Sequence, residues 1–211
     1  NDLSKMLNIA AEGKGDIDVS ASLGPADDGS LILAVAGNIG QTNIDASGAF
    51  SGLQDLNNVD LNLLAAGPDL GRLSNLVGIK LSEKSPFRID VDAKRQGPLV
   101  LVERAEVSFG EAELEATARI PEFPSLNDSR INLSLRGPRI ERFRYATGLP
   151  GAATGAFSLD FAVDVVAGGA EVITLDLRTA LGKIQAHGLL GHAPGFDGSE
   201  MASFYISDDD W

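Results

Sequence analysis

The sequence predicts a mainly β chain: an elongated, curved antiparallel sheet of repeating units, each made of four strands plus a short helix. Three observations predict it. Apolar and polar residues alternate with a period of two along most of the 211 residues, the pattern of a strand with one buried face. Glycine- and proline-containing turns interrupt the alternation at hairpin spacing. The punctuation also repeats. Gly67-Pro68-Asp69-Leu70-x-x-Leu73 returns as Gly137-Pro138-Arg139-Ile140-x-x-Phe143, and 137 − 67 = 70. Phe87-x-Ile89-x-Val91 returns at the same offset as Phe157-x-Leu159-x-Phe161, and Ile17-x-Val19-x-Ala21 stands one period earlier.

The strands follow in order. Ile17, Val19, Ala21 and Leu23 alternate with Asp16, Asp18, Ser20 and Ser22, and Gly24 to Gly29 make a turn. Leu31, Leu33 and Val35 mark a second strand, Ile44, Ala46 and Gly48 a third, and Val59, Leu61 and Leu63 a fourth. The second unit places strands at 87–93, 99–109, 113–120 and 131–135, with Gly110 at the place of Gly40. In the third, 157–166, 172–179, 183–190 and 201–206 are strands. Gly182 follows Gly110 by 72 residues, which predicts a two-residue insertion around Gly168-Gly169. Between units, Leu70, Leu73, Leu76 and Val77 have helical spacing, and Pro68 suits a first helical turn.

The whole of 1–211 thus reads as a fragment of a repeat array. Residues 1–15 form the end of a preceding linker helix, 16–80 the first repeat, 81–150 the second and 151–211 a truncated third. At ~4.8 Å per strand, twelve strands extend roughly 58 Å.

Composition narrows the function. A net charge of −13 argues against nucleic acid, whose phosphates require clustered Lys and Arg, and against simple docking on anionic headgroups. Hydrophobic residues make up 44%, enough to exclude a disordered chain. No cysteine is present, so there are no disulfides and no thiolate metal sites. No run approaches the ~18 apolar residues of a membrane span.

The apolar side of the strands needs a partner, and the linkers offer too few side chains to cover twelve strands. The sheet must curl over itself, either closing on a dry core or staying partly open as a trough. Small facing residues favour the trough: Ala21, Ala46, Gly48, Ala93, Ala116, Ala118, Ala162 and Ala186 leave room that a tightly interdigitated core would fill. The candidate lining is Ile17 and Val19; Leu31, Leu33 and Val35; Leu61 and Leu63; Phe87, Ile89 and Val91; Val107 and Phe109; Ile131 and Leu133; and Phe157, Leu159 and Phe161.

The ordered motif Gly67 to Leu73, the Leu-rich stretch Leu76 to Leu81, then Ser85-Pro86-Phe87-x-Ile89-x-Val91-x-Ala93, resembles AsmA-like proteins of Gram-negative bacteria. Val107-Ser108-Phe109-Gly110-x-Ala112-x-Leu114-x-Ala116, Pro121 to Leu126 and Ile131 to Gly137 continue the resemblance. It is clearest over 57–145. It departs at Ser207-Asp208, where the third Gly-Pro is missing. The resemblance implies a periplasmic β-groove protein, anchored in the inner membrane by a segment absent from this chain. Such a protein binds or conducts phospholipid acyl chains between inner and outer membrane and supports outer-membrane assembly. Its partners would be lipid and components of both membranes, with no nucleic acid. The rival expectation is a closed structural or adhesive β-repeat domain, acting as a spacer or protein-docking surface.

No catalytic residue, metal ligand or cofactor site is expected, and the chain is not expected to be an enzyme. G-x-S-x-G, P-loop, H-E-x-x-H and G-x-G-x-x-G motifs are absent. His187 and His192, five apart, point to opposite faces of a strand. Asp208, Asp209 and Asp210 read as a helix start and Asp27-Asp28-Gly29 as a turn, neither with an EF-hand spacing. Asn127-Asp128-Ser129 matches a glycosylation sequon by chance. Arg139, Arg142 and Arg144 with Tyr145 form a basic cluster that either solvates a linker or meets a headgroup or partner at the groove rim.

Overall fold

The computed structural model describes residues 17–27, 29–52, 55–70, 85–143, 154–166, 169–191 and 200–207. Twelve strands follow one another: β1 (Ile17–Pro25), β2 (Leu31–Ile39), β3 (Thr42–Gly52), β4 (Asp55–Gly67), β5 (Phe87–Gln96), β6 (Leu99–Phe109), β7 (Ala112–Ile120), β8 (Arg130–Gly137), β9 (Phe157–Val166), β10 (Gly169–Thr179), β11 (Gly182–Gly191) and β12 (Glu200–Ser207). All belong to one antiparallel sheet whose spatial order is the chain order, with β1 and β12 at its two edges. The sheet is open. Eleven spacings of ~4.8 Å make it about 53 Å across.

Cross-strand register keeps one side-chain phase over the sheet. Ala21, Val35, Ala46, Leu63, Val91, Ala105, Ala116, Leu133, Phe161, Leu175 and Ala186 stand in a single row, each opposite the next. Two residues along the strands, Val19, Gly37, Ile44, Ala65, Ile89, Val107, Leu114, Leu135, Leu159, Leu177 and Ile184 form a second row. On the other side of the first, Leu23, Leu33, Gly48, Leu61, Ala93, Val102, Ala118, Ile131, Val163, Val172 and Gly188 form a third. None of the three rows contains an ionisable residue. Because the side-chain period is two, a one-residue slip at any pair would turn every later strand inside out.

Bulges preserve that phase, in β6, in β10 and in β12 opposite His187 and Gly188. In β6 the apolar residues change parity, from Val100 and Val102 to Ala105, Val107 and Phe109, and the register shifts between Val102 and Ala105. In β10 the same happens between Val172 and Leu175. The extra residue of a bulge lets two side chains share one face. Glu103 and Arg104 accordingly both reach polar-face partners, Lys94 and Asp92. The bulges in β6 and β10 lie 70 residues apart, and the first unit has none at the matching place in β2.

The same pairings correct the expected insertion near Gly168-Gly169. Phe109 faces Ala112 and Thr179 faces Gly182, so Gly182 is the counterpart of Ala112 at an offset of 70. The position matching Gly110 is Ala180. The turn glycine has moved within the hairpin, from φ 61° at Gly40 and 59° at Gly110 to φ 137° at Gly182. Ala162 is a second correction. It pairs with Asn132 and Thr174 on the polar face, while Phe161 beside it points the other way.

The densest packing lies along one rim of the apolar face, and it is built twice. Ala65, Leu70 and Phe87 form a buried cluster. Leu135, Ile140 and Phe157, each 70 residues later, form another. The linkers supply the covering residues: the N–H of Leu70 donates to the carbonyl of Ser85 at 2.9 Å, and that of Ile140 to the carbonyl of Gly155 at 2.9 Å. Among the described residues the expected short helix occurs as a four-residue 3₁₀ turn, Ile140–Phe143. Residues 71–84, with most of the first linker, and 1–15, expected to end a preceding helix, lie outside the described residues, as do Asp208 to Asp210.

Beneath each cluster an aromatic ring lies over a glycine. Gly67 faces Phe87 and Gly137 faces Phe157 in register. A Cβ at Gly67 would come within 2.8 Å of Phe87 Cε1, and one at Gly137 within 3.0 Å of Phe157 Cε1. Gly67→Ala must therefore displace a buried ring and should lower stability by about 1–3 kcal/mol. Gly24→Ala, where a Cβ meets nothing within 4 Å, should change the urea midpoint little. Equal midpoints for the two variants would contradict the packing described.

Candidate functional site

The feature that stands out is an apolar face over which no described strand packs. Every substantial contact between strands is between neighbours in the sheet, so among the described residues no second layer packs on either face. The face is graded. Phe87 and Phe157, at the rim under the linkers, are 4% and 7% exposed. Toward β1 it opens: Ile17 is 60% exposed, Leu23 50%, Val19 41% and Leu61 in β4 41%, whereas Val163 and Val172 on the rim opposite the linkers are again buried. Leu31, Leu33, Val35, Leu63, Val91, Val107, Ile131 and Phe161 are half-buried, and so are Ile89, Phe109, Leu133 and Leu159, which pack against the rim clusters.

All of the candidate lining residues read from the sequence thus lie on one face. Phe87 and Phe157 belong to the closed rim clusters, Ile89, Phe109, Leu133 and Leu159 pack against them, and the others line the rest of the face. The three apolar rows lie ~6.8 Å apart along the strands, so they define a stripe about 14 Å wide between outer rows.

From β5 to β11 the opposite face is ionic. Arg104 lies 2.7 Å from Asp92 and 2.9 Å from Asp90. Arg136 lies 3.0 Å from Glu113 and 2.6 Å from Glu115. Arg130 pairs with Asp164 directly across the β8–β9 ladder. Asp176 accepts from Arg178, Lys183 and Gln185. Such exposed pairs add little stability one by one. Their effect is to hold one face wet while the other stays apolar.

A recess of about 400 Å³ crosses β6 to β10. Its lining is mixed: Arg104, Glu106, Glu115, Thr117, Asn132, Ser134 and Asp160, whose side chains the register puts on the polar face, and Ala105, Ala116, Leu133, Phe161 and Ala162. It coincides with the bulges of β6 and β10, whose residues Glu103, Arg104 and Thr174 border it. The alternation did not point to this recess. The parity change within β6 and β10 was the available signal.

The remaining candidates fall out plainly. Arg139 pairs with Glu111 at 2.6 Å, so this member of the basic cluster is neutralised at the rim. The side chain of Arg142 and residues Arg144 and Tyr145 lie outside the described set, as does His192. His187 is exposed in β11. Among the described residues no three His, Asp or Glu side chains cluster to hold a metal ion, and no helix is long and apolar enough to cross a membrane.

Two measurements test this account of the faces. Phe157→Ala should cost about 3–5 kcal/mol, as for a buried aromatic, whereas Leu61→Ala on the open part should cost well under that. Comparable urea midpoints would mean that the face is not graded. The second is acid stability. Hydrogen bonds from Arg178 hold the Asp176 carboxyl below its ordinary 3.8, with Lys183 and Gln185 adding to the effect and burial opposing it. The hydrogen bond from Arg130 does the same for Asp164. A carboxyl with a lowered folded value contributes stability that is complete above its unfolded value and is lost as pH falls through the folded one. The unfolding midpoint should therefore decline as pH drops below about 4, and Asp176→Asn should flatten that decline.

Comparison of the chain with protein-family models, with curated proteins and with solved structures gives no match.

Proposed function

We propose that the apolar face binds or conducts acyl chains, so that the protein acts as an elongated lipid-carrying β-groove. The observation that carries this reading is the set of three uncharged rows crossing the sheet with no layer packed over them among the described residues. Each methylene moved from water onto such a surface is worth up to about 0.8 kcal/mol. The rows run perpendicular to the strands, along the long dimension of the sheet. A tail lying along one meets a similar set of Ala, Val, Leu and Ile side chains every ~4.8 Å, so no single position traps it. The headgroup stays at the open rim, and no headgroup-specific residue is needed.

The resemblance to AsmA-like proteins supplies the setting. In that setting the protein works in the periplasm, held to the inner membrane by a segment outside this chain. It carries phospholipid between inner and outer membrane in support of outer-membrane assembly, and performs no chemical step.

Full-length protein purified from membranes should carry phospholipid detectable by native mass spectrometry and extraction. Photo-crosslinking residues at Leu33, Val91 or Phe161 should capture it, whereas the same probe at exposed Asp60 or Asn132 should not. Val91→Asp should leave the sheet folded but empty of lipid. Loss of folding in that variant, as expected for a charge placed in a sealed core, together with no captured lipid, would replace the reading with a closed spacer or protein-docking domain.

A further inference from the structure

One cation stands on the apolar face. The register carries a fourth row two residues outside Leu23, Leu61 and Ala93, toward the rim opposite the linkers. Pro25, Leu31, Phe50, Val59, Arg95, Val100 and Ile120 stand in it, each opposite the next. Among the described residues of the four rows, Arg95 alone is ionisable. It is half-buried. The residues one period before and after it are Pro25 and Val165, so at this position the charge belongs to the second unit only.

The surroundings hold the guanidinium without neutralising it. Its Nε donates to the carbonyl of Gly97 at 3.0 Å, which ties the side chain to the β5–β6 hairpin. The guanidinium carbon lies 6.0 Å from the centre of the Phe123 ring, within reach of a cation–π contact. Phe123 comes from the loop between β7 and β8. Its N–H donates to the carbonyl of Pro98 at 2.8 Å, and its side chain is exposed. Among the described residues Arg95 forms no ion pair, and its two terminal amino groups donate no hydrogen bond. On the ionic face, by contrast, Arg104, Arg130, Arg136 and Arg178 each pair with a carboxylate. A guanidinium held in place with its planar fork unused is suited to take two oxygens of an anion at once.

We propose, resting on the acyl-chain reading of this face, that Arg95 binds the phosphate of a phospholipid whose tails lie on the uncharged rows. Arg95 stands ~6.8 Å outside Ala93 along its strand. A tail lying on the rows therefore leaves its phosphate at the rim, where the two Nη groups meet it. The net charge of −13 disfavours a general attraction to anionic surfaces, but this contact is local. The carboxylates that pair with the other arginines lie on the opposite face of the sheet, and no row beside Arg95 carries one. The tails meet similar rows in every unit, whereas the cation occurs in one. Lipid slides past the other units and is held by its headgroup at this one.

The test is a competition. Full-length protein, stripped of lipid in detergent, is offered an equimolar mixture of phosphatidylglycerol and diacylglycerol with identical tails, and bound lipid is read by native mass spectrometry. The unmodified protein should take up the phospholipid in several-fold excess. Arg95→Gln should bring the ratio to about one while total bound lipid stays the same. Arg95→Lys, which keeps the charge, should retain most of the preference. Arg119→Gln, which removes an exposed cation from the ionic face, should retain all of it. Circular dichroism confirms that each variant is folded. A large excess of inorganic phosphate should leave the ratio unchanged. An undiminished ratio in Arg95→Gln, an equal loss in Arg119→Gln, or a ratio of about one in the unmodified protein would overturn the headgroup assignment and leave acyl-chain binding standing. Collapse of the ratio in inorganic phosphate would make Arg95 a site for free phosphate and also overturn it. Uptake of neither lipid by the unmodified protein would overturn the acyl-chain reading as well.

Discussion

Everything in this molecule depends on the side-chain phase carried across its backbone ladders. A strand shows alternate residues to opposite faces, and hydrogen bonding fixes which residue stands opposite which. With twelve strands in one sheet, the phase must pass through eleven pairings without a net slip. The chain achieves this with bulges, among them those in β6 and β10, which leave Glu103 and Ile173 without a partner in the ladders to β5 and β9. Such bulges bend and twist strands locally, and the recess that crosses β6 to β10 lies where they occur.

A single sheet has no core between layers, so its anchoring must come from elsewhere. Here it comes from the rim. Each linker folds one large aliphatic residue, Leu70 or Ile140, over a phenylalanine that itself lies on a glycine of the preceding strand. The N–H of the aliphatic residue is satisfied across the linker by the carbonyl of Ser85 or Gly155, so a buried turn leaves no orphaned donor there. These two clusters sit at the joins between units, where a non-hairpin connection would otherwise leave neighbouring strands least constrained.

The two faces then have opposite physical characters. Ion pairs across β5 to β10 cluster on one face and keep it hydrated, at small individual gain in stability. The other face keeps its aliphatic rows half-exposed. Contiguous apolar surface of that extent is rare on proteins with no partner for it, which is why its occupant is central to any functional account.

Much of this was legible in the sequence. Period-two alternation located every strand, and the recurrence of Gly-Pro and Phe-x-Ile/Leu-x-Val/Phe motifs located the joins. These signals are local: a half-buried strand writes its phase into consecutive residues, and a tight turn demands glycine or proline at a definite place. Ala162 was assigned to the wrong face and the third hairpin was given an insertion it lacks, because a small residue and a movable glycine say little about phase without their neighbours. Only the tertiary structure decided that the described strands form a single layer, that Phe87 and Phe157 pack at the rim rather than on the open face, and that a recess crosses β6 to β10. Those outcomes depend on which distant residues meet across the ladder. A one-dimensional pattern states that a residue will be shielded on one side, and leaves open what does the shielding.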